Sequence, residues 1–247
     1  MARTLSVANQ KGGVGKTTTV INLADALARA GKRTLVVDLD PQCNATSGLG
    51  AKPLSHHPLV GEAPIRSWVL PVGERLDMLP GSRSFRDVDS LAKAGTNQSQ
   101  QLVEHLHNGT TAYDYVLIDC PPSLGQLTQM ALAASNEVLM PIQCEYFAME
   151  GLVGMIEVIR DVMSTRPGQL EFGGIVLTMY DSSLELTAEV DQDVREFFGE
   201  IVFETVIPRD AKICEAPSHG TSILRYAPRS RGARAYVELC MEVLDRA

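Results

Sequence analysis

The sequence predicts an α/β fold with a doubly wound, mostly parallel sheet flanked by helices, and three observations carry that prediction. Seven short aliphatic or β-branched runs, at 5–8, 34–38, 76–79, 115–119, 137–141, 174–179 and 201–206, alternate with stretches of helical periodicity. A glycine-rich segment joins the first run to the first helical stretch, and Asp38 and Asp119 close two other runs. Strands alternating with helices pack as a parallel sheet covered on both faces, with ligands beyond the carboxyl ends of the strands. Lys16, Asp38, Asp119 and Pro141 all fall at or just after such ends, so the candidate site residues share one rim.

Residues 4–8 lead into Gln10-Lys11-Gly12-Gly13-Val14-Gly15-Lys16-Thr17-Thr18, and helical periodicity then runs to about residue 30. Strand, glycine-rich turn and helix in that order make the phosphate-binding loop of the P-loop NTPase fold. Backbone N–H groups at Gly12, Gly13, Val14, Gly15 and Thr18 can converge on phosphate oxygens, and the helix N-terminus adds positive potential. Lys16 then reaches the terminal phosphates of ATP, and Thr17 offers Mg²⁺ its hydroxyl. The loop departs from G-x-x-x-x-G-K-[ST] at position 10, where Gln10 stands, and it adds Lys11. Two readings of Lys11 are open: a solvated turn lysine, or a cation donated to the phosphates of a second subunit, as an arginine finger is in other NTPases. The second predicts an ATP-dependent sandwich homodimer.

The run at 34–38 ends in Asp38-Leu39-Asp40-Pro41-Gln42, where either carboxylate can serve the site or merely satisfy backbone donors in the turn. From 51 to 100 the pattern breaks into prolines, glycines and scattered charges, leaving an irregular connection with a single strand at 76–79. Its His56-His57 pair lacks a nearby third ligand and reads as a loop pair, and Trp68 as a packing residue. The buried-looking run at 115–119 closes with Asp119, which can hold Mg²⁺ directly or through water.

Composition sets limits. With 247 residues, 45% hydrophobic and 21% charged, the chain reads as one domain over 1–247. The loop begins too early to leave room for a signal peptide, and no apolar run is long enough to span a bilayer, so a cytoplasmic location is expected. Five cysteines without a C-x-x-C pair indicate neither a zinc site nor a disulfide framework. The net charge of −8 argues against a uniformly basic surface.

The KGGVGKTT loop resembles that of the ParA/MinD group of ATPases. Leu35 to Gln42 with Asn44-Ala45-Thr46, Val116 to Ser123, Pro141 to Gln143 with Glu145 to Gly151, and Val206 to Arg209 with Glu215 to Ser218 narrow the likeness to the ParA/Soj partition branch. The resemblance implies a slow ATP hydrolase in which Asp40 orients the attacking water and Asp38 supports Mg²⁺ and the adjoining switch loop. It places adenine against Met179 and the loop containing Pro208, Arg209 and Asp210. It also implies non-specific DNA binding, a ParB-like activating partner, nucleoid association and a segregated cargo such as a chromosome or plasmid.

The residues themselves offer a surface for DNA. Between 209 and 236, Arg209, Lys212, Arg225, Arg229, Arg231 and Arg234 face only Asp210 and Glu215, a local excess of four positive charges. That stretch is either a salt-sensitive phosphate-binding patch or an ordinary solvated face. Two positions depart from the family pattern: Ser182-Ser183-Leu184-Glu185 lacks the usual basic residue, and Met130 stands where asparagine is usual. Weaker DNA binding, or attachment to another matrix, follows from the first. A MinD-like membrane regulator would need a basic amphipathic C-terminal helix, whereas 236–247 carries Glu238, Glu242 and Asp245 against Arg246. A cluster-bearing electron donor would need Cys120 and Cys144 as ligands, and a metabolic kinase an acceptor pocket that the sequence does not display.

Overall fold

The computed structural model describes residues 2–58, 64–84, 103–104, 106, 108–145, 150–165 and 170–246. Its elements are β1 (Arg3–Val7), α1 (Lys16–Arg29), β2 (Thr34–Asp38), α2 (Asn44–Gly48), β3 (Leu70–Gly73), β4 (Leu76–Leu79), β5 (Tyr115–Asp119) and α3 (Gln126–Ala133). There follow β6 (Glu137–Gln143), α4 (Glu150–Thr165), β7 (Glu171–Thr178), α5 (Glu185–Phe198), α6 (Ala211–Glu215), α7 (Ile223–Tyr226) and α8 (Arg231–Asp245). They build a seven-stranded sheet in the order β3-β4-β2-β5-β1-β6-β7. Every pairing is parallel except the antiparallel pair β3–β4 at the edge.

The central strands read TLVVD and YVLID and are buried along their whole length, as strands covered on both faces must be. Because side chains alternate across a strand, Leu35, Val37, Val116 and Ile118 join one core cluster with α3, α4 and α5. Val36 and Leu117 join the other, with α1 and α8. On α8 the buried residues Gly232, Ala233, Tyr236, Leu239, Cys240 and Val243 follow the helical period, so one stripe faces α1. Met130 is also a core residue, 6% exposed on α3.

Three expectations are corrected. Residues 201–206 form no strand: Gly199–Ile201 is a 3₁₀ turn, and Val202 makes an isolated bridge to Ile175. The Glu242 carboxylate of α8 instead accepts the N–H groups of Glu204 and Thr205, at 2.9 and 2.7 Å, so a side chain takes donors that a ladder would have used. Conversely, the connection before β4 contains a second strand, β3, which is exposed, proline-bearing and short, as edge strands tolerate. Trp68, expected to pack, is 37% exposed. His56 and His57 lie in the connection between α2 and β3, as expected; His57 is 2% exposed, and burial pushes its imidazole down to about 3, so it is a buried, neutral loop residue. Residues 146–149 of the Glu145–Gly151 motif lie outside the described residues.

Candidate nucleotide site

The phosphate loop is shaped by two left-handed glycines and anchored at both ends. Gly13 (φ 78°) and Gly15 (φ 93°) take conformations that other residues rarely adopt, and Gly15 is the residue from which α1 starts. Asn9 ties the loop to the sheet: its Nδ2 donates to the Pro141 carbonyl at 2.8 Å, and its Oδ1 accepts the Lys11 N–H at 3.0 Å. On the far side Thr178 Oγ1 donates to the Val14 carbonyl at 2.8 Å. The loop is thereby held between the ends of β1, β6 and β7.

The loop's two lysines diverge. Lys16 is 6% exposed and its Nζ donates inward, to the Lys11 carbonyl at 2.9 Å. Burial lowers its pKa, against the opposing pull of the Asp119 and Asp40 carboxylates. The Lys11 ammonium lies on the outer flank, 3.1 Å from Glu145, with a third of its side chain exposed.

Beneath Lys16 sits a pair of buried carboxylates. Asp38 and Asp119 occupy matching positions on adjacent strands β2 and β5, and neither is exposed to solvent. Desolvation pushes the Asp119 carboxyl well above its ordinary range, reinforced by the Asp38 charge, despite a 2.8 Å hydrogen bond from Thr17 Oγ1 to its Oδ2. Its Oδ1 is buried and takes no hydrogen bond among the described residues. An orphaned carboxylate oxygen beside a hydroxyl is a hard oxygen donor set, which suits Mg²⁺. Thr17 and Asp119 are therefore the residues that would hold the ion.

Asp38 has a different task. Its Oδ2 accepts the Thr46 N–H at 2.9 Å and the Thr46 hydroxyl at 2.6 Å, and its Oδ1 accepts the Asp40 N–H at 3.1 Å. Burial nevertheless pushes it up to about 6, because desolvation outweighs those bonds. Its oxygens are engaged by the loop that enters α2, so it would support an ion only indirectly. Asp40, 5% exposed, accepts the Gln42 N–H at 2.8 Å through Oδ1. Its other oxygen takes no hydrogen bond among the described residues. Desolvation raises its pKa, offset by the Gln42 N–H and by Lys16.

A cavity of about 270 Å³ opens beside the loop, and Met179, Pro208, Arg209 and Asp210 all line it, as do Gly15 and Thr18. The Asp210 carboxylate accepts the N–H groups of Lys212 (2.9 Å) and Gly232 (3.0 Å). It caps α6 and pins α8, and so holds the cavity wall in place. Asn9, Thr178, Ile213, Cys214 and Tyr236 belong to the loop supports or the cavity and carry no motif that announces them, whereas Ile207 sits inside the Val206 to Arg209 stretch. For Asn9 the one signal was its place between a strand end and the glycine turn.

The basic residues at 209–234 separate into two groups. Lys212 pairs with Glu215 at 2.7 Å, and Arg225 pairs with buried Asp25 at 2.6 Å while donating to the Val72 carbonyl. Arg225 is thus held by a buried carboxylate and a carbonyl, whereas the Lys212 pair is exposed on the surface. Arg209, Arg229, Arg231 and Arg234 are exposed and form no ion pair among the described residues. At the departure noted above, Asp181 Oδ1 accepts the N–H and hydroxyl of Ser183, so that turn presents no cation. Cys120 and Cys144 are buried thiols, the latter pushed up to about 12 by burial. Among the described residues no helix is long and apolar enough to cross a membrane.

Fold and site together define a P-loop ATPase that uses ATP and Mg²⁺. A family model described as an AAA domain matches residues 2–172. The chain is 46% identical over 250 residues to the chromosome-partitioning ATPase Soj of Treponema pallidum (strain Nichols), covering 100% of this chain and 98% of the relative. It is 42% identical over 249 residues to the sporulation initiation inhibitor protein Soj of Bacillus subtilis (strain 168), covering 98% of both. A crystal structure of cobyrinic acid a,c-diamide synthase from Mycobacterium smegmatis with bound ADP and magnesium matches with a TM-score of 0.85 at 33% identity, covering 99% of this chain and 94% of that one. This chain belongs to the Soj/ParA family of chromosome-partitioning ATPases.

Proposed function

We propose that this ATPase closes with ATP into a sandwich homodimer, binds DNA non-specifically, and is reset by hydrolysis that a ParB-like partner stimulates. The observation that carries the reading is the divergence of the two loop lysines: Lys16 serves its own phosphate loop, and Lys11 points out of it. A cation on the outer flank of one protomer, not spent on its own phosphate loop, can swing to neutralise charge on a nucleotide held by the facing one.

In each protomer the loop N–H groups and Lys16 bind the β and γ phosphates, and the cavity beside Met179 and Pro208 takes the base. Thr17 and Asp119 would hold Mg²⁺, which would supply positive charge against that developing in transfer. Asp40 positions the attacking water through its unengaged oxygen. With no strong base beyond a carboxylate, turnover is slow until a partner orders the loops around Asp40. The DNA surface consists of Arg209, Arg229, Arg231 and Arg234, gathered about the N-terminus of α8, whose dipole adds to their charge. The protein then resides on the nucleoid with its cargo, a chromosome or plasmid. A membrane matrix is disfavoured because residues 236–245 of α8, where Val237 and Met241 are exposed, carry Glu238, Glu242 and Asp245 and no Lys or Arg.

The test is DNA retention and light-scattering mass of Asp40→Ala with ATP, with ADP and without nucleotide. Dimerisation and retention only with ATP, weakening between low and moderate salt, is the expected result. Arg229→Glu should lower retention several-fold and flatten the salt slope by about one unit, with ATP turnover in the absence of DNA unchanged. A dimer indifferent to DNA overturns the DNA-matrix reading.

A further inference from the structure

We infer that Glu145 is a positioning residue that holds Lys11 in cis and thereby sets how much ATP is needed to close the dimer. This rests on the reading of Lys11 as the lysine donated across the interface. The Lys11 backbone is fixed against β6, because Asn9 bonds both the Lys11 N–H and the Pro141 carbonyl. Glu145 follows the end of the same strand by two residues, and its N–H donates to the Gln143 carbonyl at 2.8 Å, which folds it back. The Gln143 side-chain amide donates to Glu145 Oε1, and Oε2 is left to meet the Lys11 ammonium at 3.1 Å. The carboxylate is thus aimed by a neighbour at the lysine. Among the described residues Lys11 makes no other ion pair.

An ammonium seated on Glu145 is turned towards its own β6. To reach phosphates in a facing protomer the side chain has to leave that carboxylate, so the pair opposes closure and favours the open monomer. The side chains are 34% and 48% exposed, and a pair this wet is weak, which limits the effect to about two- to fivefold per protomer. Each dimer breaks two such pairs, so the effects combine. A contact of this strength tunes a switch without blocking it.

The experiment follows dimerisation by light scattering across an ATP titration, in the Asp40→Ala background, for Glu145→Gln, Lys11→Ala and the double variant. Glu145→Gln keeps the shape and the hydrogen bond to Gln143 but removes the charge. With two pairs broken and two ATP bound per dimer, the expected result is a half-maximal ATP concentration lowered about two- to fivefold, with ADP affinity and melting temperature as in the parent. Lys11→Ala should remain monomeric, and adding Glu145→Gln to it should change nothing, since the residue acts through Lys11. Glu145→Gln that needs as much ATP as the parent, or more, overturns the inference while a monomeric Lys11→Ala leaves the sandwich standing. A Lys11→Ala protein that dimerises like the parent overturns the sandwich reading, and the inference with it.

Discussion

Asp25 on α1 and Asp119 at the end of β5 are aspartates of nearly equal burial, 1% and 0% exposed, and their surroundings push them in opposite directions. Burial alone would raise the Asp25 carboxyl, but Arg225, Ser222 and Arg29 outweigh it and leave it below its ordinary value. Arg225 donates to it with Nε and Nη2, and Ser222 adds its hydroxyl, tying α1 to α7. Asp119 meets one hydroxyl and the Asp38 carboxylate, and the pull of Lys16 does not offset its burial, so it stays raised. The paired carboxylate belongs to the scaffold. The frustrated one stores an uncompensated charge that a cation can relieve, a pattern that marks functional sites.

The largest expected effect is on the frustrated side. Asp119→Asn should cut ATP turnover by a factor of about 10² or more by weakening the ion's seat, yet leave the nucleotide-free protein as stable as the parent or slightly more so. Single-turnover assays with thermal melts would read both; a large loss of stability would make Asp119 structural and dissolve the contrast. On the paired side, Asp25→Ala should destabilise the fold by about 2–4 kcal/mol, because it leaves the partly buried Arg225 guanidinium and the Ser222 hydroxyl without their acceptor. Chemical denaturation measures that, and ATP turnover well below the midpoint should change little.

The smallest effect is the pH dependence, and its sign differs between the two. A carboxyl whose folded pKa is lowered stabilises above its unfolded pKa, so the Asp25 contribution is present at neutral pH and fades as pH falls below about 4. A carboxyl raised in the fold binds its proton more tightly there, so stability at the Asp38–Asp119 pair grows as pH drops from 7 through about 6. Melts of the nucleotide-free protein between pH 7 and 5 should therefore show a gain that Asp38→Asn diminishes. The same melts on Asp25→Asn should keep that gain.

Much of the site was legible because it depends on local order. Gly13, Gly15, Lys16 and Thr17 form the phosphate loop within a few residues of chain, and Asp38 and Asp119 close apolar runs whose ends appear where expected. Legibility failed where a distant partner decides. Arg225 looks like a free cation until Asp25, 200 residues away, is seen to claim it. Residues 201–206 look like a strand until Glu242 takes two of their donors. Tyr236 and Cys214 carry no pattern that assigns them to a nucleotide cavity, since the cavity exists only once α6 and α8 pack over the loop.

The sequence by itself determined the layered α/β architecture, the phosphate loop and the rim on which its acids stand, because strand periodicity, glycine geometry and strand-end position are properties of short segments. The tertiary structure decided which charges remain free. A charge's role depends on what lies within about 4 Å of it and how much water remains, and both are set by the packing of segments far apart in the chain. The same fact separates Asp25 from Asp119, Arg225 from Arg229, and Lys16 from Lys11.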